Sequence, residues 1–259
     1  MSSIPTQLSP GIEIAALRNK CSTCSMHELC LPVGLDVDDM RRLDSVITKR
    51  RRVLKGEMLF RMGERFTNLY AVRVGHFKTT HIDSTGLEQV TGFQMAGELL
   101  GFDAIATESH HCNAVALEDS EVCELPFSRI EDLSREIPNL QRHFHRMMSQ
   151  EITREQGLML MLGAMRAEQR LAAFLVNLAT RYARRGYSAK AFQLRMTREE
   201  IGSYLGLTIE SISRLLTRFR KQGLIAVAHK EIVLLDIEGL KTLISTTNNS
   251  ESLSIKPCD

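Results

Sequence analysis

Three cysteines fall within ten residues near the start of the chain, in the run Cys21-Ser-Thr-Cys24-Ser-Met-His-Glu-Leu-Cys30, a C-x2-C-x5-C spacing. A free cysteine usually behaves as a small buried hydrophobe, yet the intervening residues Ser22, Thr23, Ser25, His27 and Glu28 are polar. That pattern predicts an exposed loop that presents thiolates rather than a core strand. Three thiolates on a short arc hold most of a metal centre, and a fourth from elsewhere would close it. Zinc and iron–sulfur clusters both accept four thiolates, so the run alone leaves the two open. Cys112 and Cys123 lie nearer the middle of the chain and Cys258 at its end.

Other chemistries find less support. His76 and His81 are separated by four residues, and His110 and His111 are adjacent. No H-x-H followed by a nearby Glu falls on a strand. His143 and His145 lie in a helical stretch, where positions i and i+2 point to different sides. These histidines read as surface or capping residues. No carboxylate pair or nucleophile triad is recognisable, which argues against an enzyme. With 43% apolar and 25% charged residues, 259 residues suit an ordinary soluble protein of one large or two small domains. The first residues lack a basic-then-apolar leader pattern, and no apolar run approaches membrane-spanning length, so the expected compartment is the cytoplasm. There, cysteines are metal ligands or reactive thiols more often than disulfides. From Arg166 onward Lys+Arg outnumber Asp+Glu 15 to 9, a net +6, against −4 for the rest of a chain whose total is +2. A basic rear half suits a polyanion.

The elements that position these residues follow from patterning. Residues 1–20 read as a poorly ordered lead, and 1–35 as the thiol loop. Asp36–Asp44 starts a short helix, and Lys49-Arg50-Arg51-Arg52 reads as a solvated edge beside a strand. From Val53 to about Leu125, short apolar alternations such as Leu69–Val74 are punctuated by glycines. This predicts a jelly-roll β-barrel over residues 36–136. A long helix over 137–165 carries Phe144, Met148, Ile152, Glu155, Met159 and Leu162 at spacings of three and four, a coiled-coil-like seam. Part of that row can lie on its own barrel, but a helix of this length has a face to spare, and pairing with a second copy through Met148, Ile152, Glu155 and Met159 is its expected use. A carboxylate at Glu155 would make the pairing conditional.

Residues 166–246 read as a winged helix-turn-helix. Thr197 caps a helix over Arg198–Leu205, with Glu200 completing a capping box. Gly206 makes the turn, and Thr208 caps a second helix, Ile209–Gln222, which stops at Gly223. Ile201, Leu205, Leu207, Ile212 and Leu215 are the expected internal packing. Glu210, Ser211, Ser213 and Arg214 face outward near the start of the second helix, where base edges are read. Arg218, Arg220 and Lys221 suit phosphates. The alternation from Leu224 to Leu234 makes a wing. The tail after residue 246 is expected to be disordered, leaving Cys258 a free thiol.

An α+β chain with barrel, long helix and winged helix-turn-helix in this order resembles the CRP/FNR superfamily of bacterial transcription regulators, and most closely its oxygen-sensing branch. The carrying residues are the three spaced cysteines with LYAVRVGHFK, TGFQMAGELLGFDAIA, VCELPF, RAEQRLAAFLVNL and MTREEIGSYLGLTIESISRLL. The resemblance implies Cys123 as fourth ligand and an oxygen-labile 4Fe–4S cluster on Cys21, Cys24, Cys30 and Cys123. It further implies a homodimer while the cluster is intact, a TTGAT…ATCAA palindrome as operator, and RNA polymerase as partner. Glu210, Ser213 and Arg214 stand at the branch's base-reading positions. Cys112 is additional to the ligand set and reads as a spare thiol. The cyclic-nucleotide branch follows its G-E-L segment with an arginine for the cyclic phosphate. Here no Arg or Lys lies between Gly101 and Cys123, so cyclic-nucleotide sensing is not expected. The cluster loop itself carries no fixed positive charge.

Overall fold

A computed structural model describes residues 21–47 and 49–245. The expected lead (1–20), the tail from 246 and Cys258 lie outside the described residues. The chain divides into two compact units, one containing residues up to 79 and 93–148, the other 80–92 and the residues from 149 on.

The first unit is the barrel with its attached helices. Strands β1 (Lys49–Val53), β8 (Ser120–Pro126), β3 (Asn68–Val74) and β6 (Leu99–Leu100) form one four-stranded sheet in the order β1-β8-β3-β6. Strands β2 (Met58–Phe60), β7 (Asn113–Ala116), β4 (His76–Ile82) and β5 (Glu88–Met95) form the other, in the order β2-β7-β4-β5. Because successive side chains on a strand face opposite sides, β3 and β8 each feed two cores. Tyr70, Val72 and Val122 join Val53, Phe60, Phe77 and Leu100 between the sheets. Leu69, Ala71 and Leu125 face outward into a second core with Leu31, Leu43, Ile130, Leu140 and Phe144. That outer core is closed by three helices: α1 (Val37–Val46), α2 (Phe127–Glu136) and the start of α3 (Pro138–Ala164). Asp36 caps α1 by accepting from the backbone N–H groups of Asp38 and Asp39 at 3.0 and 2.8 Å. Pro138 opens α3, at the position where its missing N–H costs nothing.

Several expectations are corrected here. The basic run is strand β1 itself, and two of its cations are paired: Arg51 lies 3.8 Å from Glu57 and Arg52 3.5 Å from Asp119. The helical seam is split between two tasks. Phe144 is buried in the outer core and Met148 packs against it, because α3 must first cover its own barrel. Ile152 and Met159 are 55% and 72% exposed, and Glu155 is exposed beside them. Nor are the histidines all superficial. His110 is buried and stacks on Phe60 with ring centroids 3.7 Å apart, which fills the interior with an aromatic pair.

In the second unit, α4 (Ala167–Ala183) buries Leu171, Phe174, Leu175, Leu178 and Tyr182 along one face. Helices α5 (Arg198–Leu205) and α6 (Ile209–Lys221) form the helix-turn-helix. The wing, β10 (Ile225–Ala228) and β11 (Glu231–Leu234), pairs with a third strand, β9 (Ala191–Gln193), in the order β10-β11-β9. A last helix, α7 (Ile237–Ser245), closes the unit. Neither β9 nor α7 is read from the patterning above: β9 has three residues, and α7 has nine, capped by Asp236, whose carboxylate accepts from the Gly239 N–H at 2.8 Å. Arg170 joins three pieces of this unit: Nη2 donates to the Leu162 carbonyl at 2.7 Å, Nε to Met165 at 2.9 Å and Nη1 to Leu205 at 3.0 Å. One guanidinium thereby satisfies carbonyls at the C-terminal ends of both α3 and α5.

Candidate metal centre and nucleic-acid interface

Residues Cys21–Thr23 form a single 3-10 turn, and the loop continues in tight turns, with the Cys24 N–H on the Cys21 carbonyl at 3.0 Å and that of Cys30 on Met26 at 3.1 Å. Asp44 of α1 accepts from the Cys21 N–H at 2.5 Å, pinning the start of the loop. Gly97 lets the loop lie close to the barrel: a Cβ there would stand 2.9 Å from that of Leu29, and its φ of +87° suits glycine alone. Leu31 is buried beneath. The polar flanks Ser22, Thr23, Ser25, His27 and Glu28 are exposed, as their types predict. The thiols are not. Cys21, Cys24 and Cys30 are half-buried, and Cys21 and Cys30 pack against the outer core. The reading of an exposed thiol loop is therefore corrected for the sulfurs: polar residues face water while the cysteines turn inward.

Cys123 meets them from the barrel. Val122 points between the sheets, so Cys123 points outward, into the same core as the loop. Cys21, Cys24, Cys30 and Cys123 line one cavity together with Met26, His27, Leu43, Ala71, Arg50 and Arg73. Among the described residues, no three His, Cys, Asp or Glu groups stand close enough together to hold a single metal ion. The four sulfurs border a space rather than converge on a point. Burial pushes the Cys21 thiol far up, assisted by the neighbouring Cys30, Asp44, Cys123 and Cys24. Burial likewise pushes Cys30 up to about 12. It raises Cys123 too, although Arg50 and Arg73 pull that thiol the other way. Cys21, Cys30 and Cys123 are thus held in the thiol form until a cationic occupant offsets the charge of the thiolates.

Three neighbours escape sequence reading. Arg50 is the Cα partner of Cys123 across β1 and β8, and Ala71 its partner across β3, so Arg50, Ala71 and Arg73 share its face. The loop carries no cation, but the sheet supplies two. His143 of α3 hydrogen-bonds the Cys30 carbonyl through Nε2 at 3.2 Å. A single-residue register and a side chain more than a hundred positions away leave no local signal. Cys112 sits apart: it packs against the barrel interior and donates to Asp103 at 3.5 Å.

In the second unit the helix-turn-helix is locked by its caps. Thr197 accepts from the Glu200 N–H at 3.1 Å, and Glu200 accepts from the Thr197 N–H at 2.7 Å. The Thr208 hydroxyl accepts from the Ser211 N–H at 3.2 Å. Gly206 adopts a left-handed φ of 62°, and a Cβ on Gly202 would sit 2.6 Å from the Leu207 carbonyl. Helix α6 buries Ile212, Leu216 and Phe219. Leu215 and Leu207 are only half-buried, a correction that follows from helical spacing, since 212, 216 and 219 share one stripe. Glu210, Arg214 and Arg218 are exposed, and Ser211 and Ser213 half-exposed. The Glu210 carboxylate is held below its usual range by its own backbone N–H and the Thr208 hydroxyl, with a contribution from Arg214. Ser213 accepts from Arg198 at 3.3 Å, and Arg218 pairs with Glu168 at 2.6 Å, so Arg218 is anchored within the unit.

Two family descriptions match: a cyclic nucleotide-binding domain over residues 50–136 and a Crp-like helix-turn-helix domain over 169–243. The fumarate and nitrate reduction regulatory protein of Salmonella typhimurium is 46% identical over 229 residues, 88% of this chain and 92% of that protein. The transcriptional activator protein anr of Pseudomonas aeruginosa is 46% identical over 88% of this chain and 94% of its own length. The transcriptional regulatory protein btr of Bordetella pertussis is 47% identical over 86% and 93%. Among solved structures, FixK2 from Bradyrhizobium japonicum superposes with a TM-score of 0.71 at 28% identity, covering 77% of this chain and 98% of that one. No helix among the described residues is long and apolar enough to cross a membrane. The chain belongs to the CRP/FNR family of transcription regulators, among its FNR-like members, and is a DNA-binding regulator rather than an enzyme.

Proposed function

We propose that this chain is an oxygen-responsive regulator of anaerobic gene expression, working in the cytoplasm with a 4Fe–4S cluster on Cys21, Cys24, Cys30 and Cys123. The observation that carries the reading is the cavity bordered by four thiols from two distant segments. A zinc ion sits about 2.3 Å from each of four sulfurs and needs them converging on one point, whereas a four-iron core takes one thiolate per corner and fills a space. The group would supply an oxygen-labile bond between loop and barrel. The names of the relatives, among them an anaerobic regulatory protein of Pasteurella multocida, support the anaerobic role.

The chain's own residues carry the consequence. Cys21, Cys24 and Cys30 tie the loop to Cys123, and the Cys30 carbonyl is held by His143 of α3. Phe144 and Met148, in the next turn, rest on the same core as the thiols. Loss of the tether therefore loosens the seat of α3, and the paired state is favoured to the extent of its differential contacts. The exposed row Ile152, Glu155 and Met159 meets its copy in a homodimer. Two α6 helices then read half-sites of a TTGAT-N4-ATCAA-like palindrome about 34 Å apart, with Glu210, Ser213 and Arg214 on base edges. RNA polymerase is the downstream partner. Cyclic nucleotide is not the signal: Phe60, Tyr70, Phe77 and His110 occupy the barrel interior, and no cation follows Gly101 before Cys123.

Anaerobic purification with iron, sulfide and zinc analysis tests the assignment. About four irons and four sulfides per chain, with a brown colour bleached by air, are expected. A colourless protein carrying stoichiometric zinc would make the four thiols a structural staple instead.

A further inference from the structure

The cavity has a cationic wall that no cysteine pattern reveals. Arg50 and Arg73 both line it, and both keep a buried Nε atom without a hydrogen-bond partner among the described residues. Among the described residues they share one carboxylate. Glu121 lies 2.8 Å from Arg73 Nη1 but 3.9 Å from Arg50 Nε, too long for a hydrogen bond. The Arg50 side chain is 14% exposed. Two partly buried guanidinium groups thus face one carboxylate, leaving a positive charge uncompensated on the wall of the cavity that the four sulfurs line. Burying a cation in this way is costly unless an anion arrives. Arg73 lies where β3 slips register against β8 between Val72 and Val74, and such an irregularity re-aims a side chain.

We propose that Arg50 and Arg73 are positioning residues that receive the net negative charge of the thiolate-bound iron–sulfur group and raise its reduction potential. This rests on the cluster reading given above. Once four thiolates surround such a core, the assembly is an anion, and its potential follows its net charge, its hydrogen-bond donors and its exposure. The orphaned Nε–H groups are the donors available, and the two charges offset the added electrons. Removing either arginine therefore favours the oxidised state and speeds the loss of an electron to dioxygen in air.

The test compares wild type with R50Q, R73Q, R50K and R73K, all loaded anaerobically. Spectroelectrochemistry and the rate of bleaching in air are read, together with thermal unfolding of the cluster-free proteins. For each Gln variant the expected change is about tenfold in the oxidised-to-reduced ratio at fixed potential, about 59 mV downward for a one-electron couple, with faster bleaching. The Lys variants, which keep the charge, recover most of the shift. If a Gln variant folds but fails to load while its Lys counterpart loads, the charge role is supported. Unchanged potential and bleaching with lowered unfolding temperature would overturn it, leaving the arginines as partners of Glu121 alone. Lys variants that behave like the Gln variants would also overturn it. An iron-free wild type would instead sink the cluster reading itself.

Discussion

Replacing Arg170 with Gln removes a guanidinium that donates to Leu162, Met165 and Leu205. A hydrogen bond from a charged donor contributes about 1.5–3 kcal/mol. Leu162 and Met165 are half-exposed, so water takes over at their carbonyls and much of their share is recovered. Leu205 is fully buried, so the carbonyl it carries is the costly one to abandon. The expected loss is about 3 kcal/mol, between one bond and all three. R170K returns the charge as a point donor that serves one carbonyl at a time and recovers about 1 kcal/mol. Urea unfolding of the cluster-free protein, followed by helical circular dichroism, measures the stability change. Because Leu205 ends the first helix of the DNA-reading pair, operator affinity of the anaerobic protein is expected to fall in parallel. A loss below about 0.5 kcal/mol, the scatter of ordinary surface changes, would show that the three bonds hold nothing that water cannot.

Four further outcomes follow from the same geometry. Burial raises the thiols of Cys21, Cys30 and Cys123 above their ordinary value of 9.0. The unfolded chain thus releases those protons first as pH rises. Cluster-free protein should keep its stability below pH 9 and lose it progressively from there towards about pH 12, as read by unfolding midpoints across that range; a midpoint that rises over it would contradict the burial. Glu155→Ala removes a carboxylate beside exposed Ile152 and Met159 and should tighten pairing without cofactor by about 1 kcal/mol, roughly fivefold in the dimer constant. Sedimentation showing no more dimer than wild type refutes that. Arg214→Ala should cost about 1–3 kcal/mol on the operator and relax preference at one base pair. Lys221→Ala should weaken all sequences alike and lower the salt slope by about 1, both read by binding titrations over a salt series.

The helix-turn-helix was legible because its determinants are local. A capping Thr, a Glu three residues on, a left-handed glycine and a second capping Thr each act within one turn of chain. Its packing was less so: Leu215 and Leu216 are adjacent, and only the final rotation of α6 buries Leu216 and half-exposes Leu215. The loop cysteines were legible from spacing, while Cys123 came from resemblance alone. Its role depends on strand parity, Val122 facing in and Cys123 out, and no pattern of side chains around it states which is which. Arg50 reads as one of four similar cations until β1 pairs with β8 and turns it towards the thiols. The helix seam was legible only as a stripe, for a physical reason. A stripe of apolar residues does not say whether the partner is the same chain or another, and on this one stripe Phe144 is buried in its own chain while Ile152 is exposed.

The most direct test of the central claim follows one anaerobic sample through stepwise additions of air. The cluster's visible absorbance, the dimer mass and the occupancy of the palindrome are recorded at each step. The three should fall together, and Cys123→Ser should begin where the oxidised wild type ends. Occupancy that stays constant while the absorbance disappears, or an equal hold on the palindrome by Cys123→Ser, would contradict the coupling of the thiol cavity to DNA binding.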